Sequence, residues 1–276
     1  MDQQVSFSEV LAWQAGAPDA VVHYGPEQLQ FGQLWLPAQP GPHPLVVFVH
    51  GGCWLNQYDV EHGKPLAATL RARGFAVWSV EYRRIGDPGG GWPGTFTDVG
   101  AGVDHVRALA GQYPLDLSRV FLAGHSAGGH LALWAAARAE LEPDDPFYVA
   151  QPFVPSGAIG LAAITDLELY SAGNSSCERA TLALMGGAAG EQPARYAATS
   201  PVRRVPWATP TRLVQGRGDG IVPVAQAIAL ADAAAEAGQD IRISWIDGAG
   251  HFDLIHPGTK AFVEFVAALE EMAAPG

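Results

Sequence analysis

Residues 120–129 read Val-Phe-Leu-Ala-Gly-His-Ser-Ala-Gly-Gly, an apolar strand running straight into Gly-x-Ser-x-Gly and then into small and apolar residues up to Ala139. A chain can pass that abruptly from strand to helix only through a sharp turn with Ser126 at its apex. Gly124 and Gly128 remove the β-carbons that would otherwise collide inside the turn. The helix that follows aims unpaired N–H groups and its positive dipole end at the same spot. The segment therefore predicts a nucleophilic serine held above a sheet edge, with acyl–enzyme chemistry as its use.

The rest of the chain alternates between two periodicities. Residues 29–37 read as an early strand and 45–49 as a continuous apolar run of the buried type. A helix fits 60–73, ended by Gly74, and 75–82 is the next strand. A Gly/Pro loop at 86–94 leads to a helix at about 97–109, then to the strand 120–123 and the helix behind Ser126. Strands at 157–164, 211–215 and 241–246 follow, with helices at 224–237 and about 259–272. Strands alternating with helices predict an α/β fold, a mostly parallel central sheet covered by helices on both faces. A length of 276 residues suits one such domain over 1–276. From about 165 to 210 the pattern loosens into Gly, Ser, Ala and Pro, which reads as a small cap or lid insertion.

A serine hydroxyl is a weak nucleophile, so it needs a base, and the base needs an orienting acid. His251 lies in Asp-Gly-Ala-Gly-His-Phe directly after the last strand, and Asp219 in Gly-Arg-Gly-Asp-Gly directly after the strand before it. Both emerge at the carboxyl edge of the sheet, where Ser126 also stands. Asp247 and Asp253 are rival acids but lie too near His251 in sequence, and Asp166 is the reserve. His50-Gly51-Gly52-Cys53-Trp54 follows the strand 45–49. Its backbone N–H groups, from Gly52 and Cys53, can meet an oxyanion together with the N–H of Ala127.

Taken together, His50–Trp54, Gly124–Gly129, Asp219 and His251 resemble the α/β-hydrolase superfamily, in its HGG-containing esterase branch. That branch includes hormone-sensitive-lipase-like esterases, feruloyl- and acetyl-esterase-like proteins, and kynurenine formamidases. The resemblance runs from Tyr24 through His251. The chain departs from the hormone-sensitive-lipase-like pattern where Cys53 stands for a third glycine and where His125 precedes the serine. Gly-His-Ser-Ala-Gly with His-Gly-Gly-x-Trp is closer to the formamidases and small acyl-esterases.

The resemblance and the triad order imply a serine hydrolase of a small carboxylic ester, with Ser126, Asp219 and His251 catalytic. An arylformamidase acting on an N-formyl aromatic amine is the alternative. A non-catalytic ligand-binding relative of the fold is a remote third, since such proteins lose a triad member. Trp54, Trp92 and Phe96 are expected to wall the substrate pocket.

Composition removes several partners. With 48% hydrophobic and 16% charged residues the chain is globular, and a net charge of −12 argues against nucleic acid or an anionic membrane. Gly89–Gly94 formally matches a dinucleotide fingerprint, but Pro93 interrupts it and no acidic residue is placed to hold a ribose. His125 and His130, like His251 and His256, are five apart, which does not put two imidazoles on one helical face. No cofactor and no metal are expected. Met1–Gln4 carries no leader-like pattern and no apolar run reaches membrane length, so a cytoplasmic protein is expected. Cys53 and Cys177 show neither metal nor redox spacing and imply no disulfide framework, Cys53 reading as a small, half-buried residue.

Overall fold

Leu45, Val46, Val47, Phe48 and Val49 are all 0% exposed, because their strand has a sheet neighbour on either side and a helical layer above and below. A computed structural model describes residues 4–274. Met1–Gln3, most of the stretch inspected for a leader, lie outside the described residues. The strands are β1 (Ala20–His23), β2 (Phe31–Trp35), β3 (His43–Val49), β4 (Ala76–Val80), β5 (Leu115–His125), β6 (Gly157–Leu161), β7 (Thr211–Gly216) and β8 (Ile241–Ile246). They form one sheet in the order β1-β2-β4-β3-β5-β6-β7-β8. β2 is antiparallel to both its neighbours, and the remaining pairs are parallel. This is the α/β-hydrolase fold.

Side chains alternate across a strand, so β3 feeds two cores. Leu45, Val47 and Val49 join one core, together with Phe96, Val99 and Val103 of helix Gly94–Asp104, and with helices Ala127–Ala136 and Ala225–Glu236. Val46 and Phe48 join the other, formed with Leu66 and Leu70 of helix Lys64–Ala72 and Phe262, Phe265 and Leu269 of helix Lys260–Ala273.

The order also locates the site. The chain leaves β3 for β4 on one side, then returns to place β5 on the other, so the loops after β3 and β5 part at a topological switch point. Val49 pairs with Gly124 in the parallel register, which sets His50–Trp54 beside Ser126.

Several elements differ from expectation for local reasons. The helix expected over 60–73 starts as a 3₁₀ turn, Val60–Gly63, and becomes α-helical at Lys64–Ala72, with Pro65 in its first turn. The 97–109 helix starts at Gly94 and breaks near His105 into Gly94–Asp104 and Val106–Ala110. Helix Phe7–Ala12 and edge strand β1 had no counterpart in the sequence reading. Between β6 and β7 the chain forms helices Leu167–Ser171, Ser176–Met185 and Pro193–Thr199. Ser175 starts the second of these with a capping box to Glu178. Among the described residues, no helix is long and apolar enough to cross a membrane.

Candidate active site

Ser126 has φ 58° and ψ −121° at the junction of β5 and helix Ala127–Ala136. A non-glycine residue held there costs on the order of 1–3 kcal/mol, so its surroundings must impose the shape. Its N–H donates to the Leu161 carbonyl of β6 (2.9 Å), and its carbonyl accepts from the His130 N–H (3.0 Å). A β-carbon on Gly124 would overlap the Gly128 carbonyl, and one on Gly128 would overlap the carbonyls of Val49 and His50. The Gly-x-Ser-x-Gly spacing is therefore a requirement of backbone meeting backbone.

His251 follows β8 and Asp219 follows β7, and their side chains meet: His251 Nδ1 donates to Asp219 Oδ2 at 2.7 Å. Both side chains are buried, at 4% and 0% exposed. The other carboxylate oxygen accepts from the N–H groups of Ile221 (2.8 Å) and Val222 (2.9 Å). The turn-stabilising role of Asp219 and its contact with the histidine thus use different oxygens. That contact uses Nδ1 and leaves Nε2 without a hydrogen bond among the described residues, and His251 lines a cavity with Ser126. No hydrogen bond joins Ser126 and His251 themselves; such contacts often tighten only when substrate binds.

The rival acids are occupied elsewhere. Asp253 accepts from the Gly250 N–H (2.6 Å), Asp247 pairs with Arg217 at the surface, and Asp166 caps helix Leu167–Ser171 through the Leu169 N–H. His125, next to the serine, donates from Nε2 to the His251 carbonyl (3.0 Å), which ties the elbow to the histidine loop. Burial, and then the neighbouring His251 and His62, hold the His125 imidazole well below its ordinary value, so it is a neutral structural donor.

The loop after β3 presses on the elbow. A β-carbon on Gly51 would lie 2.7 Å from the His125 carbonyl and 3.1 Å from Ser126 Cβ. Gly52, Cys53 and Trp54 follow at φ 103°, 53° and 56°. The N–H groups of Gly52, Cys53 and Ala127 meet no acceptor among the described residues. They are unspent donors beside the serine, the arrangement an oxyanion needs.

Behind the loop lies a buried polar network. His50 Nε2 stands 3.0 Å from Glu81 Oε1, and Glu81 also accepts from the N–H groups of Val60 (3.0 Å) and Tyr82 (2.9 Å) and pairs with Arg84 (3.3 Å). Tyr82 stacks on His50 with ring centroids 4.5 Å apart and donates its hydroxyl to the His50 carbonyl (2.8 Å). Burial works to raise the Glu81 carboxyl, yet His50, Arg84 and the Tyr82 N–H together hold it below its ordinary value.

Comparison with known proteins places this geometry in a family. The model of the BD-FAE family matches residues 33–234, more than half the chain. The chain belongs to the BD-FAE family. It is 29% identical over 254 residues to esterase LipC of Mycobacterium tuberculosis (strain ATCC 25618 / H37Rv), covering 85% of this chain and 60% of that protein. It is 34% identical over 115 residues to a probable isoprenylcysteine alpha-carbonyl methylesterase, ICME, of Oryza sativa subsp. japonica, covering 41% of this chain and 27% of that one. The chain thus spans less than two thirds of the length of these relatives. Among solved structures, esterase B of Lactobacillus rhamnosis (HN001) superposes with a TM-score of 0.80 at 18% identity, over 97% of this chain and 90% of that one. A truncated carbohydrate esterase from gut microbiota gives a TM-score of 0.77 at 21% identity, over 92% and 95%.

This BD-FAE chain has a partly open cavity of about 120 Å³ lined by Ser126, His251, Gly52, Cys53 and His125 together with Phe7, Tyr58, His62, Cys177, Ile221 and Phe252. The expected aromatic walls are not among them. Trp54 is 0% exposed, turned into the core by its positive φ and set edge-on to His130 at 5.4 Å. Phe96 is likewise fully buried, and Trp92 packs on Phe147 (4.8 Å) and Phe96 (5.9 Å). The aromatic residues at the cavity are Phe7, Tyr58 and Phe252, with Phe7 5.4 Å from Tyr58 and 5.5 Å from Phe252. Gln4 holds that amino-terminal segment down by donating to the Gly218 and Gly248 carbonyls, on the two loops that carry Asp219 and His251. A Ser6/Glu9 capping box starts the helix, and Ser6-x-x-Glu9 was a signal available in the sequence.

The two cysteines depart from the expectation of no disulfide. Cys53 and Cys177 form a disulfide, with Cα atoms 5.0 Å apart across 124 residues of sequence, inside the span such bonds require. Spacing could not show it, because the pair is made by tertiary placement.

Proposed function

We propose that the chain hydrolyses a small carboxylic ester through an acyl-enzyme on Ser126. The observation that carries this reading is the convergence of Ser126, the Asp219-held His251, Gly52 and Cys53 at one small cavity, with unspent N–H groups on Gly52, Cys53 and the serine's chain neighbour Ala127. In this reading His251 Nε2 takes the Ser126 proton as Oγ attacks the ester carbonyl, and Asp219 holds the ring and stabilises its charged form. The three N–H groups receive the developing oxyanion. The same imidazole then protonates the leaving alcohol and activates the water that releases the acid. The names of relatives such as LipC and ICME support ester substrates.

A cavity of about 120 Å³ falls well below the several hundred cubic ångströms of drug-sized pockets, which favours a short acyl group. Residues 165–210 serve in this reading as a cap whose Cys177 contributes to the cavity.

The test is kcat/KM on p-nitrophenyl esters from acetate to octanoate and on N-formylkynurenine, with Ser126→Ala as the blank. Fast cleavage of acetate or butyrate, falling with chain length and absent in the variant, is expected. Turnover of the formamide with negligible ester cleavage would replace this reading with an arylformamidase.

A further inference from the structure

Cys53 is at once a residue of the loop beside Ser126 and one half of a covalent bond to the segment between β6 and β7. Its φ of 53° is a conformation that side-chain-bearing residues seldom adopt, at the place where a third glycine would have been at ease. Something must hold it there. Hydrogen bonds fix the loop on either side, from the Leu55 N–H to the Gly52 carbonyl (2.9 Å) and from the Ile85 N–H to the Trp54 carbonyl (2.8 Å). At Cys53 itself the N–H is unspent, and the side chain supplies the tether. The other anchor is firm: Cys177 sits in the first turn of helix Ser176–Met185, whose Leu184 and Met185 are fully buried and whose Leu184 carbonyl accepts from the Trp92 N–H (2.9 Å). Both cysteines line the cavity.

We propose that the Cys53–Cys177 disulfide is a redox-breakable positioning device: it aims the Cys53 N–H at the Ser126 site and closes one wall of the cavity. The inference rests on the ester-hydrolase reading for its kinetic consequence, though not for its structural one. A dithiol opens the bond by thiolate attack on one sulfur, followed by closure of the mixed disulfide. Two electrons and two protons pass to the protein, leaving two Cys thiols and an oxidised dithiol. Once opened, the loop loses the constraint at φ 53° and the Cys53 N–H is no longer aimed. Losing an oxyanion donor outright costs roughly a hundred- to a thousandfold in turnover, so a misaimed one should cost about tenfold. Disulfides persist in oxidising compartments, whereas the reducing cytoplasm expected from the sequence would favour the opened state.

The experiment compares oxidised protein with protein treated with dithiothreitol. It measures kcat and KM on p-nitrophenyl acetate together with amide hydrogen exchange over residues 50–54. Reduction should lower kcat about tenfold with a smaller change in KM, speed exchange in the loop, and reverse on reoxidation. Cys177→Ser, checked for folding by circular dichroism, should match the reduced protein and ignore dithiothreitol. Two free thiols in the untreated, unfolded protein would overturn the proposal, as would unchanged kcat and exchange after verified reduction. If neither state cleaves esters while exchange still accelerates on reduction, the ester-hydrolase reading fails and the tether stands.

Discussion

Asp219 Oδ2 lies 2.7 Å from His251 Nδ1, while Oδ1 of the same carboxylate holds the N–H groups of Ile221 and Val222. This division makes the two roles of Asp219 separable. Asn in its place keeps an oxygen for the turn but offers the imidazole an amide that can donate, which favours the wrong tautomer. Asp219→Asn should therefore lower kcat by about a thousandfold or more with Tm nearly unchanged. A variant that unfolds early, or one that stays active, would show that the turn is what Asp219 serves.

The strands and loops that carry this pair were legible because their chemistry is local. Continuous apolar runs at β3 and β5 mark strands with neighbours on both sides, and Gly-x-Ser-x-Gly announces its own turn. Asp219 and His251 could be placed because each directly follows a strand whose end is readable. What the sequence hid was set by tertiary contact. β1 is a four-residue edge strand with a half-exposed pattern, too short and too polar to stand out. Trp54 looked like a pocket wall because the loop's left-handed turn, which swings it into the core, leaves no trace in residue type. Phe7 lies more than a hundred residues from Ser126, and only the docking of its helix brings it to the cavity.

Gly128 tests how tightly the elbow is built. A β-carbon there meets two carbonyl oxygens of the strand and loop beside it, and neither can yield without moving the loop after β3. Gly128→Ala should cost at least about 3 kcal/mol in urea unfolding, at the upper end for single substitutions. An alanine variant of wild-type stability would mean that the elbow is looser than drawn.

Glu81 should govern the loop from behind. Glu81→Gln keeps the shape but removes the charge facing His50 and Arg84, leaving the buried Arg84 guanidinium with Asp87 as its remaining carboxylate. The partly satisfied buried network should cost about 1–3 kcal/mol, and the disturbed His50 should also lower kcat about tenfold while KM moves little. Equal stability by denaturant titration, or an effect confined to KM, would count against this role.

Phe7 closes the cavity from the amino-terminal side, against Tyr58, His62 and Phe252. Phe7→Ala should extend the accepted acyl chain, raising kcat/KM on hexanoate relative to acetate by about tenfold, the scale of one or two methylenes of added apolar contact. An unchanged chain-length profile would place the acyl group elsewhere in the cavity.

Stability should also depend on pH through histidines outside the proposed mechanism. Burial pushes His62 down to about 3, and the nearby His50 adds to that; burial likewise pushes His130 down to about 4. Because the folded values lie below the ordinary imidazole value, the unfolded chain takes up these protons first as pH falls. Their contribution is complete above about pH 6.5 and is lost progressively from there down toward the folded values, at roughly 1.4 kcal/mol per pH unit for each proton. The Tm should therefore drop steeply between pH 6.5 and pH 4.5. His62→Gln, which cannot titrate, should flatten that slope by about one proton's worth while lowering Tm at pH 8 through its altered fit. A slope identical to that of the parent, measured by calorimetry over the same range, would show that His62 charges without unfolding the chain.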